Sequence, residues 1–378
     1  RALDLGAATA GRRQASPPPS HGTWVSLGSR DGYVYCLRQP DGELAWRFRA
    51  APVDERMVAY EQLESVWPVH GSVMVRDGVA YAAAGRSMFL DGGLRLVLLD
   101  PQSGKLLGET TMDAQQKIDG KDHQDYVTWL NMPVAKPDIL SSNGGYVYMR
   151  SQPFEPDGTR LPLKPKAWNG IADGGAPPPD QDARHAHVFS PTGYLDDSGW
   201  HRTYWIYGSD FYSGWSGYPT AGKVTPAGKI MVADDENVYG FGRRPQYWRW
   251  TTPMEFHLFA APRTNVGQLK LSAARKKGKQ PKPPERKPPT GYLWSQQYPI
   301  LARAMCKAGD TIYVAGVKDV LDETRPDTTK AEEQVAHWNG KHGGIMLAVS
   351  ALDGTKTASI ELESPPVFDS LIAARGSL

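Results

Sequence analysis

Cysteine is nearly absent from this chain: two residues in 378, Cys36 and Cys306. No C-x-x-C, C-x-x-C-H or paired Cys/His spacing occurs, which excludes a zinc knuckle and a c-type haem. Each cysteine lies beside an apolar, strand-like run (YVYCL, ARAMCKAG) and reads as a buried free thiol, with a long-range disulfide as the alternative. An excess of one charge is lacking too. The 43 Lys and Arg face 41 Asp and Glu, a net charge of +2, so nucleic acid is not an expected partner. No apolar run approaches the roughly 20 residues that a membrane-crossing helix needs. The opening RALDLGAATAGRRQASPPPSHG has no uninterrupted apolar core of the signal-peptide kind, as expected if such a leader was removed or lies upstream. GRSMFLDGG (85–93) turns on glycines but lacks the Lys-Ser/Thr of a phosphate loop, and no G-x-S-x-G elbow exists.

What the chain does have is glycine (39), proline (31), tryptophan (12) and tyrosine (17), with only 22% charged residues. That mixture suits an all-β protein rich in turns. Residues 28–48, GSRDGYVYCLRQPDGELAWRF, place Tyr33–Leu37 and Leu44–Phe48 on either side of a tight Asp-Gly turn. Related stretches recur at 76–106, 144–149, 228–242 and 309–354: a Gly-led run ending in Tyr or Val, a variable loop, a Leu/Val run, then Asp-Gly or Asp-x-x-x-Gly. Self-similarity of this kind predicts stacked four-stranded antiparallel sheets, since one such sheet leaves two apolar faces and cannot stand alone. The fold expected is a β-propeller with about five recognisable blades, in a ring holding about 7–8 in all.

The whole of 1–378 reads as one propeller domain with three loop insertions, 156–185, 263–290 and 322–342. The second carries nine Lys/Arg against one Glu and no core-forming pattern, and reads as a solvated loop or an anionic-polymer contact. The third is expected to carry a short helix over Ala331 to Trp338. SPPVFDSLIAARGSL (364–378) resembles half of a repeat and GTWVSLGSRDGYVYCL (22–37) the other half. One blade shared by both would close the ring; the alternative is a chain cut from a longer propeller.

At 28–48 the chain resembles the PQQ-like, quinoprotein-type propeller repeat: Asp-Gly before an aromatic strand, a second turn, and Trp46 closing the blade. The resemblance extends through WRFRAAP (46–52), QLESVWPVHGSVMVRDGVAYAAAGRSMFLDGG (62–93), HVFSPTGYLDDSGWHRTYWIYG (187–208), AGKIMVADDENVYGFGRRPQYWRWTTPMEFHLFAA (227–261) and GGIMLAVSALDG (343–354). These stretches look like those of PQQ-like propeller proteins typical of planctomycete-type bacteria. The resemblance implies a bacterial, extracytoplasmic (periplasmic or cell-surface) location and membership of a longer polypeptide. It does not imply a bound quinone. The alcohol-oxidising branch stacks PQQ on a disulfide of adjacent cysteines beside a calcium ion, whereas Cys36 and Cys306 are far apart in sequence. PQQ with calcium is therefore not an expected cofactor.

The densest functional-looking stretch is 194–218, YLDDSGWHRTYWIYGSDFYSGWSGY. Trp200, Trp215 and Tyr218 could stack on sugar faces while Arg202 and Asp210 bond hydroxyls or a carboxylate. In an enzyme, His201 and Tyr212 would be the acid/base pair. The competing reading is that these rings fill blade interfaces, most of all Tyr204 and Trp205 in the strand-like TYWIY, and that the Asp residues cap turns. A second ligand-binding candidate joins Trp67, His70 and Arg86 to Glu64 and Asp91, with Arg86 and Asp91 read as a loop pair on one rim. His185 and His187 alternate on one face, but no third ligand stands at readable spacing, so no metal is expected. Arg243, Arg244 and Arg249 among Tyr247, Trp248 and Trp250 read as cation–π packing or a polyanion contact.

The function expected is a non-catalytic module that binds a protein or a polysaccharide. The alternative is a carbohydrate-active enzyme, a polysaccharide lyase or glycosidase; PQQ-dependent oxidation is the remote third.

Overall fold

The computed structural model describes residues 20–59, 61–113, 117–118, 121–122, 134–162, 183–191, 205–209, 225–243, 256–265, 291–321, 328–374 and 376–378. The chain is an all-β protein whose sheets are the antiparallel blades of a β-propeller. It divides into two compact units, Arg1–Asn169 and Gly170–Leu378.

In the first unit, sheet I holds β1 (Ser20–His21), β2 (Trp24–Gly28), β3 (Tyr33–Arg38) and β4 (Leu44–Arg49). A hairpin follows, β5 (Arg56–Ala59) and β6 (Gln62–Ser65). Sheet II holds β7 (Met74–Arg76), β8 (Val79–Ala84), β9 (Leu94–Leu99) and β10 (Leu106–Met112). After a two-residue pair, β11 (Lys117–Ile118) with β12 (Lys121–Asp122), comes sheet III: β13 (Leu140–Asn143), β14 (Tyr146–Met149) and β15 (Gln152–Phe154). In the second unit, sheet IV holds β16 (His187–Phe189), β17 (Trp205–Gly208) and β18 (Ala227–Gly228). Sheet V holds β19 (Ile230–Ala233), β20 (Asn237–Arg243), β21 (Phe256–Pro262) and β22 (Trp294–Gln296). Sheet VI holds β23 (Ile300–Ala308), β24 (Thr311–Lys318), β25 (Gly344–Ser350) and β26 (Lys356–Leu362). Every sheet is a meander in chain order.

Sheet II shows why its strands read as near-continuous apolar runs. Ala80, Ala82, Ala84, Val97 and Leu99 pack with Val34, Cys36 and Trp46 of sheet I. The alternate residues Tyr81, Ala83, Leu94, Leu96 and Leu98 pack with Leu140, Val147, Met149 and Phe154 of sheet III. Side chains alternate across a strand, so both faces are core. Sheet V repeats this: Tyr239, Phe241, Leu258 and Ala260 meet sheet VI, while Val238, Phe259 and Ala261 meet Tyr207 of sheet IV. Burying each large aliphatic or aromatic group contributes about 1.5–3 kcal/mol.

Neighbouring sheets are also pinned by a recurring tryptophan. The Trp46 indole N–H donates to the Pro101 carbonyl at 3.1 Å, and Trp294 does the same to Ala351 at 2.9 Å. Each ring presses close on a turn glycine, Gly104 or Gly354, where a Cβ would come within 2.6 Å of it. The two turns are alike: Gly104 N–H donates to Asp100 O and Gly354 N–H to Ser350 O, at 2.8 and 2.9 Å, with φ near +70° in both (69° and 75°).

Several sequence expectations meet the structure directly. Helix α1 spans Ala331–Trp338, inside the 322–342 insertion. Gln334 clips it to the end of β24, accepting from Val320 N–H at 2.8 Å and donating to Lys318 O at 3.0 Å. Cys36 and Cys306 are buried free thiols, not a disulfide, and burial pushes both up from the usual thiol range. The repeat count differs: six sheets of three or four strands occur among the described residues, where self-similarity shows about five. The additional one is sheet IV, whose short strands sit far apart in sequence. Sheet I draws all four strands from residues 20–49, so the half-blade reading of 22–37 is corrected. Among the described residues no helix is long and apolar enough to cross a membrane.

Candidate functional site

Strand alternation fixes which loops share a rim. The β2–β3 loop (29–32), the connection after β4 (50–73) and the β8–β9 loop (85–93) all leave their sheets at the same end. Backbone bonds tie them together: Val69 N–H donates to Ser29 O at 2.9 Å, Ser65 N–H to Arg30 O at 2.9 Å, and Gly85 N–H to Pro68 O at 3.0 Å. Gly32 makes the first junction possible. Its φ is +88°, and a Cβ there would lie 2.7 Å from Ala51 Cβ. Its carbonyl accepts both Ala50 and Ala51 N–H groups.

Beside that glycine, Asp31 accepts Tyr33 N–H at 3.1 Å and the Tyr35 hydroxyl at 2.5 Å. Burial, then this bond to a carboxylate, pushes the Tyr35 phenol up to about 12. Both groups are thus committed to holding the loop.

The rim's charge cluster centres on Glu64, which is 9% exposed. The Arg86 guanidinium lies 3.0 Å from its Oε1 and donates at 3.0 Å to the Ser65 carbonyl. Arg30 approaches Glu64 Oε2 at 3.9 Å and donates to Gln62 Oε1 at 3.0 Å. Asp91 stands 4.0 Å from Arg86, and Met57 Sδ touches the same guanidinium. The Arg86–Asp91 loop pair read from sequence is present, but Glu64 is the nearer partner. Arg86 bonds the Glu64 carboxylate directly while Arg30, bonded to Gln62, stands nearby at ion-pair distance.

Trp67 belongs to the layer beneath. It is 5% exposed, packs in the core shared by sheets I and II, and its backbone N–H donates to Ser65 Oγ at 3.1 Å. His70 leaves the cluster: its Nε2 lies 3.4 Å from Asp138 Oδ1, and Lys136 donates to Asp138 Oδ2. Burial alone would raise Asp138, but the bonds from His70 and Lys136 outweigh it and hold the carboxyl below its usual range. The backbones meet there too, since a Cβ on Gly71 would strike Pro137 O at 2.1 Å.

Trp200, His201, Arg202, Asp210, Tyr212, Trp215 and Tyr218 lie outside the described residues, as do Arg244, Tyr247, Trp248, Arg249 and Trp250. Within that stretch Trp205 and Tyr207 are on strand β17, as TYWIY suggests. His187 is 1% exposed, and its Nδ1 donates to the His185 carbonyl at 2.8 Å. Among the described residues no group of three His, Cys, Asp or Glu could hold a metal.

Three members of the rim escaped the sequence reading: Arg30, Met57 and Gln62. The signal was a pair of short runs, RMVA (56–59) and QLES (62–65). It matches no blade template, and that is why it passed unread.

No protein-family model matches the chain, and neither does any curated protein. Solved structures do. BamB from Moraxella catarrhalis is 11% identical, with 93% of this chain and 77% of that one covered, at a TM-score of 0.38. The quinohemoprotein alcohol dehydrogenase of Pseudomonas putida HK5 is 12% identical, covering 91% and 58%, at 0.43. That of Comamonas testosteroni is 12% identical, covering 91% and 59%, at 0.41. The chain thus spans somewhat over half the length of either dehydrogenase. All three are PQQ-like propeller proteins.

Proposed function

We propose that this protein is an extracytoplasmic, non-catalytic propeller module that binds another protein through the loop rim of its first unit. The observation that carries this is the company kept by the Arg86–Glu64 cluster. Val53, Val58 and Leu63 on the connection after β4, and Phe89 and Leu90 on the β8–β9 loop, are all large apolar residues left exposed. Arg86 bonds the two loops together. Exposed apolar side chains on two loops that Arg86 ties together support a recognition surface. The buried Glu64 carboxylate there is held by Arg86, as suits a fixed recognition patch. The location outside the cytoplasm follows the sequence resemblance.

Photo-crosslinking tests the reading. A benzophenone side chain at Phe89 or Leu90, in producing cells, is expected to capture one discrete protein; the same group at Ile360, exposed on β26, is expected to capture none. Equal capture at all three positions, or none at any, overturns the reading. The 194–218 stretch keeps its separate proposal as a polysaccharide platform. Retention on polysaccharide gels should fall in Trp200→Ala and Trp215→Ala, and unchanged retention removes that role.

A further inference from the structure

The hairpin on this rim has one edge in use and one edge free. Its register pairs Arg56 with Ser65, Met57 with Glu64, Val58 with Leu63 and Ala59 with Gln62. Val66 N–H donates to Glu55 O at 3.0 Å, and ladder bonds in an antiparallel pair fall on alternate residue pairs. The bonded pairs are therefore 55/66, 57/64 and 59/62. At 56/65 and 58/63 the N–H and C=O groups point out of the ribbon. On the β6 side Ser65 N–H uses this direction to reach Arg30 O. On the β5 side, the outward backbone groups of Arg56 and Val58 have no hydrogen-bond partner among the described residues.

The two faces differ as sharply as the two edges. Met57, Gln62 and Glu64 point inward to Arg86 and Arg30. Val58 and Leu63, directly opposite one another on the other face, are 72% and 63% exposed. An aliphatic pair beside an unpaired strand edge is a template for adding a strand. Its surroundings are acidic. Arg56 lies 3.7 Å from Asp54, while Glu55 and Glu61 have no cation within 4.0 Å among the described residues.

We infer that the edge of β5 accepts an extended segment of a partner protein as a third strand, one in which aliphatic residues alternate with lysine or arginine. The inference rests on the protein-binding reading of the rim and deepens it. The backbone of the segment would bond Arg56 and Val58, its aliphatic side chains would cover Val58 and Leu63, and its cations would face Glu55 and Glu61.

The test uses the full chain and a fluorescein-labelled peptide of about eight residues, enough for one strand, alternating lysine and valine. Anisotropy should show saturable binding, and an aspartate–valine peptide should bind at least about tenfold more weakly, a difference of about 1.4 kcal/mol. Val58→Pro removes one outward N–H and leaves the hairpin's own bonds in place; it should weaken binding by about tenfold or more on the same scale. Independently of any variant, saturating peptide should slow amide exchange at Arg56 and Val58 in the unmodified chain. Absence of binding, equal binding of both peptides, unchanged exchange at those two amides, or a Val58-dependent self-association in sedimentation would each overturn the inference. A partner crosslinked at Phe89 alongside any of these results would leave the rim reading standing and remove only the added strand.

Discussion

Gly104 and Gly354 hold the same place in two turns, each beneath a tryptophan from the preceding sheet. An alanine Cβ at Gly104 would lie 2.6 Å from Trp46 Cδ2, on a backbone whose φ is +69°. Gly78 has a similar φ of +77°, but nothing stands within 4 Å of its Cβ position. Gly104→Ala should therefore cost about 2–5 kcal/mol from backbone strain and overpacking together, and Gly78→Ala only about 1–2 kcal/mol from strain. Urea unfolding of the two variants separates the effects; equal losses would mean the indole does not press on its glycine. Trp46 and the DPQSG turn were each legible in the sequence. Their pairing was not, because 55 residues separate Trp46 from the Pro101 carbonyl it bonds, and no local pattern encodes that contact. The same holds for His70, whose partner Asp138 comes from the next connection.

Turns carry the element scale. Asp234, at the β19–β20 turn, accepts the N–H groups of Glu236 and Asn237, the Tyr239 hydroxyl and the Lys307 ammonium. Burial works against its charge, yet these bonds prevail and bring the carboxyl down to about 2. A depressed folded value means the stabilisation is complete above the unfolded value of about 3.9. It is lost as pH falls from there through about 2. Asp234→Asn should accordingly melt below the unmodified chain at pH 6, and the gap should close between about pH 4 and pH 2. A gap that stays constant across that window would remove the turn's electrostatic role. The helix at Ala331–Trp338 was foreseeable from its own residues, whereas its attachment through Gln334 was not, since the acceptor and donor lie on β24 and just beyond it.

Across the whole molecule, stability comes from sheets that are apolar on both faces. Leu96 is fully buried between sheets II and III, while Ile360 on β26 is 53% exposed. Leu96→Ala should cost about 2–5 kcal/mol and Ile360→Ala no more than about 0.5 kcal/mol. Chemical denaturation of both variants checks this, and comparable losses would contradict the stacked-blade core.

The blade was readable without coordinates because its signals are local. A two-residue side-chain period, an Asp-Gly turn with positive φ and an aromatic strand are each properties of a few consecutive residues. The rim was readable only in part: Glu64 and Arg86 stood out in the sequence, but Arg30 did not, because the three sit on separate segments and meet only after the sheets have stacked. Their contact depends on where loops emerge from neighbouring blades, a matter of packing between distant parts of the chain. Likewise, that one edge of the 56–65 hairpin is occupied and the other open follows from Arg30 arriving on one side of it, and only folding brings it there.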